Sequence, residues 1–382
     1  MEITGIICEY NPLHSGHKAQ LDQIRRDFGE DCGIVCLMSG NFVQRGMPAI
    51  FDKSIRAEAA VRSGADLVLE LPVTASLSSA EGFASEGVRI LSHICNRLSF
   101  GAETPEKEAL IKSAKALLSE EFPSALRKHL DAGLSFPAAR QNALADLGLS
   151  GELLRSPNNI LAVEYCKAIL SQNSAMIPCP IMRPGSYHAE IADQNAPSAT
   201  SLRGMLYRRE DISAYLPPEA APLFWDAPLH SLSFGERAVL AKLRTMTPEA
   251  FSALPGGSEG LWRKLMHAAR EYATLEEIAT EVKSKRYTRT RIDRMLLCAF
   301  LDITEEMLAV PAPYVRVLAL NDRGREILKS ARKDFDFVNA GEAREGDYAQ
   351  LESRCGALYG LFTEQAPEAP DAENRRRVRY IP

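Results

Sequence analysis

Among the 382 residues there are eight cysteines but no Cys-x-x-Cys pair, which removes the commonest spacing of zinc and dithiol redox sites. Cys8, Cys36, Cys166 and Cys298 lie in apolar runs, as reduced core thiols do, so a cytoplasmic protein is expected. The start, Met1-Glu2-Ile3-Thr4-Gly5-Ile6-Ile7, lacks a basic segment ahead of a long apolar one, and no later apolar run approaches the ~20 residues of a membrane span. Neither secretion nor membrane insertion is expected. Excess positive charge is missing too: the formal net charge is -5, so attraction to nucleic acid has to come from a local patch. No internal repeat is present.

What is present is a chain with 46% hydrophobic and 25% charged residues, long enough for two or three packed domains. From residue 3 to about 185, short apolar runs rich in β-branched residues (Ile3 to Cys8, Gly33 to Met38, Asp66 to Leu71, Arg97 to Phe100, Ala175 to Met182) alternate with helical patterns. The helices are expected at Gly16 to Arg26, Asp52 to Ser63, Ala80 to Leu91 and Pro105 to Leu118. This order predicts an α/β fold, a doubly wound parallel sheet of Rossmann-like type over 1–215, with a helical insertion at about 120–170. Breaks at Pro217-Pro218, Pro255-Gly256-Gly257 and Pro311 to Pro313 frame an α-rich domain over 216–312. A small C-terminal α/β unit is expected over 313–382, with strand Tyr314 to Leu320, helix Arg323 to Arg332 and a tail ending in Arg375-Arg376-Arg377.

The chemistry concentrates directly after the first strand, in Glu9-Tyr10-Asn11-Pro12-Leu13-His14-Ser15-Gly16-His17. A helix starting near Ser15 offers unpaired N–H groups and the positive end of its dipole, and Gly16 removes the side chain that would block a phosphate. His14 and His17, three apart across the helix start, can converge on one anion and stabilise the charge that builds as an α-phosphate is attacked. Pro12 fixes the turn, and the motif occupies the first crossover of the sheet, where such folds bind ligands. A zinc site from Cys8, His14 and His17 lacks a second pair to complete four ligands, so no resident metal is expected.

Other polar clusters follow strand ends: Ser39 to Gly46, Gly101-Ala102-Glu103, and Arg183-Pro184-Gly185. Ser198-Ala199-Thr200-Ser201-Leu202-Arg203 reads either as a plain helix cap or as a β,γ-phosphate site neutralised by Arg203. Lys53 is a candidate phosphate contact, while its neighbour Asp52 suits a helix N-terminus for structural reasons alone. Asn158 and Asn159 are equally readable as caps or as nucleotide contacts. In "KSKRYTRTRIDRMLLCAF", Arg286, Arg291 and Arg294 lie off the apolar stripe of a helix and, with Arg289, either meet RNA phosphates or pair with Glu276, Glu277 and Glu281.

The segments "GIICEYNPLHSGH", "MSGNFVQRGMPAIFDK", "ADLVLELP", "FGAE", "SPNNILAVEY" and "SATSLRG" together resemble the bacterial tRNA(Met) cytidine acetate ligases, within the His-x-Gly-His nucleotidyltransferase superfamily. The likeness runs over roughly the first 210 residues, and "RYTRTRIDR" extends it. It implies ATP and Mg2+ as cofactors, acetate activated as acetyl-adenylate, and acetylation of the wobble cytidine of elongator tRNA(Met). Carried over by position, the ATP site is Ile7, Cys8, Glu9, Tyr10, Asn11, Pro12, Leu13, His14, Ser15, Gly16, His17, Lys18, Ala19 and Gln20, with Gly101, Asn158 and Arg183 as further contacts. The superfamily's I-S-S-T-x-x-R pattern is matched at Ser198, Thr200 and Arg203, with Pro197 and Ala199 replacing the Ile and second Ser. The alternatives weighed are a cofactor-biosynthetic nucleotidyltransferase acting on a small metabolite and an RNA-binding protein without catalysis.

Overall fold

The computed structural model describes residues 1–182, 198–331, 333–364 and 372–382, so the expected nucleotide contact Arg183 and the motif residue Pro197 lie outside the described residues. The strands are β1 (Ile3–Cys8), β2 (Gly33–Ser39), β3 (Phe42–Val43), β4 (Met47–Pro48), β5 (Leu67–Leu71), β6 (Arg97–Ala102), β7 (Ile177–Met182), β8 (Tyr314–Leu320), β9 (Asp336–Asn339) and β10 (Arg379–Tyr380). Five of them form a parallel core in the order β5-β2-β1-β6-β7. The order reverses between β1 and β6, and ligands of open α/β sheets bind in the crevice such a reversal opens beyond the strand ends.

These strands are nearly continuous apolar runs because both faces are covered. Ile6, Cys36, Met38 and Val68 point into one core, with Leu21 and Ile24 of the helix Ser15–Phe28 and Ala57 and Ala60 of the helix Lys53–Arg62. Ile7, Leu37, Leu67 and Leu69 point the other way, onto Phe83, Val88, Leu110 and Val163 from the helices Ala80–Leu91, Lys107–Leu117 and Pro157–Ser171. The expected doubly wound arrangement is thus the one observed. Residues 122–171 are helical, without a strand.

Two expectations about organisation need correction. Residues 313–382 do not form a unit of their own, because β8 pairs antiparallel with β5 and widens the first sheet, with β9 and β10 along its outer side. Nor does the helical part close its own core: Leu243, Phe251, Leu265 and Leu296 pack with Phe42 of β3 and with Leu351, Tyr359 and Phe362 from the C-terminal end. Among the described residues no helix is long and apolar enough to cross a membrane.

Candidate active site

Beyond the carboxyl end of β1 the chain turns sharply. Tyr10 adopts a left-handed backbone (φ 47°), and the Asn11–Pro12 peptide is cis. This loop is held by Arg56, fully buried on the helix Lys53–Arg62, whose guanidinium donates to the carbonyls of Glu9 (2.6 Å), Ser39 (3.1 Å), Phe51 (2.9 Å) and Gly40. Charge-assisted bonds of this kind replace the ladder bonds lost where β1 and β2 end, so both loops are fixed together. Asn11 adds a second brace, accepting from the backbone N–H of Ile50 at 2.7 Å.

His14 caps the helix Ser15–Phe28. Its Nδ1 accepts from the N–H of Gly16 at 3.1 Å, and the Nδ1 of His17 accepts in return from the N–H of His14 at 3.2 Å. The rings stack with centroids 3.8 Å apart, and Tyr10 meets His17 edge-on at 4.9 Å. Backbone N–H groups can only donate, so both Nδ1 atoms are acceptors and the neutral rings carry their proton on Nε2. The cap therefore converts two histidines into a pair of oriented N–H donors. Gly16 permits this packing, since a Cβ there would meet the His14 ring at 3.0 and 3.1 Å.

A second helix start faces the first. Ser198 caps the helix Ala199–Tyr207, its Oγ accepting from the N–H of Ser201 at 3.0 Å. Arg203, one turn along, donates to the carbonyl of Asn11 (2.8 Å) and to the Thr200 hydroxyl (3.2 Å), joining this helix to the histidine loop. On the β2 side, the β3–β4 hairpin brings up Gln44, whose N–H donates to the Glu9 carboxylate at 2.8 Å. Beyond β6, the Glu103 carboxylate accepts from the N–H of Asn159 (2.8 Å) and from Nδ2 of Asn158 (2.7 Å), anchoring the start of the helix Pro157–Ser171.

These elements enclose a cavity of about 710 Å³, within the range of small-molecule sites. Of the expected site residues, Ile7, Cys8, Glu9, Tyr10, Asn11, His14, Ser15, Gly16, His17, Ala19, Gln20, Gly101, Asn158, Ser198, Thr200 and Arg203 line it. Pro12, Leu13 and Lys18 do not: Leu13 is fully buried and Lys18 pairs with Asp22 at 2.5 Å. The lining also holds Gln23 and Arg26, which continue the helix face of His17 and Gln20 at steps of three and were findable from that spacing. Its apolar wall holds Phe83, Phe100, Leu161 and Tyr165, side chains that read by type as ordinary core although the last three fall within the segments "FGAE" and "SPNNILAVEY".

The expectation for Lys53 is overturned. Its Nζ is buried outside the cavity, between Glu70 (2.7 Å) and Glu373 (2.6 Å), and both carboxylates hold its ammonium in the charged form. Arg376 completes this cluster through Glu373 (3.0 Å) and Asp52 (2.7 Å), holding the carboxyl of Asp52 well below the usual carboxylate range.

Three of the four arginines of the basic run are likewise drawn into the fold. Arg289 pairs with Glu276 and Asp293, and Arg291 donates to the carbonyl of Gly256 at 2.9 Å. Arg294, largely buried, donates to the carbonyl of Gln44 at 3.3 Å, so Arg291 and Arg294 do not stand clear for phosphates as expected. Arg286 pairs with Glu259 but keeps its side chain 64% exposed, beside exposed Lys283 and Lys285.

With this geometry in view, the comparisons with known proteins are specific. The family model for HIGH Nucleotidyl Transferase matches residues 1–374. A tRNA(Met) cytidine acetate ligase of Clostridium novyi is 39% identical over 352 residues, 87% of this chain and 88% of its own length. One from Clostridium acetobutylicum is 37% identical over 396 residues, 97% of this chain and 98% of its own. The apo crystal structure of Thermotoga maritima TmcAL matches at a TM-score of 0.92 with 27% identity over 100% of both chains. The same protein bound with alpha-thio ATP matches at 0.88 with 28% identity, again over 100% of both. With its sheet reversal, capped histidine pair and end-to-end likeness to these relatives, the chain belongs to the tRNA(Met) cytidine acetate ligases of the HIGH nucleotidyl transferase family.

Proposed function

We infer that this chain activates acetate with ATP as acetyl-adenylate and acetylates the wobble cytidine of elongator tRNA(Met) to N4-acetylcytidine. The observation that carries this reading is the histidine pair fixed as N–H donors at a helix N-terminus, in a chain matched over nearly its whole length by ligases of that name.

In the first half-reaction an acetate oxygen attacks the α-phosphorus and pyrophosphate leaves. His14 and His17, with the helix N-terminus behind them, meet the charge that grows on the phosphate oxygens. Arg203, Thr200 and the N-terminus capped by Ser198 hold the departing phosphates from the opposite helix. Gly101 and Asn158, on the β6 side of the reversal, take the nucleoside end. In the second half-reaction the cytidine amine attacks the mixed anhydride, and holding both reactants in one cavity supplies the orientation.

Magnesium would arrive with the triphosphate and neutralise its charge, because among the described residues no group of three His, Cys, Asp or Glu is placed to hold an ion. The exposed stretch Lys283 to Arg286 offers RNA phosphates a landing site.

Exchange of labelled pyrophosphate into ATP tests the activation step. The reading requires exchange that depends on acetate and proceeds without tRNA. Exchange driven instead by a phosphate-bearing metabolite, or no exchange at all, would favour a different nucleotidyltransferase or a protein without catalysis.

A further inference from the structure

Transfer of acetyl from adenylate to an amine releases a proton, and the described residues lining the cavity offer few places for it. Burial pushes the thiol of Cys8 and the phenols of Tyr10 and Tyr165 well above their ordinary values, so all three keep their protons. Arg26, Arg45 and Arg203 are cations without an acceptor. His14 and His17 already use Nδ1 to accept from the backbone, and either could take a proton only by giving up its part of the helix cap.

Glu9 remains, the one carboxylate among these residues. A carboxylate is an odd choice beside a triphosphate, which it repels, yet this one is deliberately held. The Gln44 peptide fixes it, with its N–H on Oε1 of Glu9 at 2.8 Å and its carbonyl taken by Arg294 at 3.3 Å. The hairpin and the helix Arg289–Leu301 thus hold Glu9 in the wall of the cavity.

We propose that Glu9 is the general base of the acetyl-transfer step. Resting on the ligase reading above, the step balances as follows. The cytidine N4 nitrogen bonds to the acetyl carbon, the bond from that carbon to the adenylate oxygen breaks, AMP departs, and the proton lost by nitrogen moves to the Glu9 carboxylate and then to water. No redox partner is needed.

Burial raises the carboxyl of Glu9 above the ordinary range, while the Gln44 N–H and the charges of Arg203, Arg45 and Arg56 pull it back. A base lifted toward neutrality suits proton removal from a weakly basic amine.

The test compares the two half-reactions in Glu9→Gln and Glu9→Asp. Acetate-dependent pyrophosphate exchange reports activation and correct folding. Single-turnover transfer from acetyl-adenylate, formed on the enzyme before tRNA is added, reports the second step. Glu9→Gln is expected to slow transfer about 100-fold more than it slows exchange. Transfer by the natural enzyme should rise with pH through the Glu9 carboxyl and then level, the Gln variant should lose that rise, and Glu9→Asp should recover part of the rate. Equal losses in both steps would assign Glu9 to the nucleotide or its magnesium and overturn the proposal, as would transfer at the natural rate. A natural enzyme that shows no acetate-dependent exchange would instead remove the ligase reading itself.

Discussion

His14 and His17 each do two jobs with one ring: Nδ1 closes a helix cap while Nε2 carries the proton. The two jobs can be separated. In His14→Asn the new side chain can still accept from the Gly16 N–H, because Asn is among the best capping residues. Thermal stability should therefore stay near the natural value while pyrophosphate exchange falls about 100-fold, the usual cost of one oriented donor; equal loss of both would show that the ring acts only as a cap. This pair was legible in the sequence because everything it needs is local: a strand end, a proline, a glycine and a three-residue spacing. Lys53 looked equally local and was not. Its partner Glu373 lies 320 residues away, and the lysine's charge is spent on that pairing.

The five core strands were legible because each is a short, largely apolar run set between helical patterns, and observed ends such as Ile3–Cys8 and Gly33–Ser39 fall within a residue or two of those expected. The β3–β4 hairpin was not, since two-residue strands have no period to detect. Yet this hairpin joins the two halves of the molecule. Gly46 has φ 77°, and a Cβ there would press into the backbone of Asp293 and Arg294. Gly46→Ala should thus cost more than about 1 kcal/mol, from strain at positive φ and from the clash. Denaturant unfolding measures this; unchanged stability would mean that hairpin and helix do not touch as described.

At the scale of the whole chain, the C-terminal end is part of the first domain, through β8 in its sheet and through the buried cluster of Lys53, Glu70, Glu373, Arg376 and Asp52. No sequence period announces such a return. Removing the lysine by Lys53→Met leaves buried carboxylates short of a partner, which typically costs about 3–5 kcal/mol at neutral pH. Asp52 and Glu373 are held below their ordinary values, so the stability they contribute is present above the unfolded carboxylate range near pH ~4 and is lost as pH falls through their folded values. The gap between Lys53→Met and the natural protein should accordingly narrow as unfolding is measured from pH ~7 down to ~3. A gap that widened would contradict the cluster.

RNA contact also belongs to this scale. Charge reversal at Lys285 and Arg286 should weaken tRNA binding and flatten its salt dependence while leaving acetate-dependent exchange unaltered. Undiminished binding in a filter or mobility assay would move the RNA surface elsewhere.

The proposed ligase reaction requires one cavity to bring together acetate, ATP and a tRNA base. Incubating the protein with ATP, labelled acetate and elongator tRNA(Met), then digesting the RNA to nucleosides, tests it most directly. The label is expected in N4-acetylcytidine from the wobble position, at one acetyl per tRNA, with AMP and pyrophosphate as co-products. ATP turnover that leaves the RNA unlabelled, or label in another nucleoside, would contradict it.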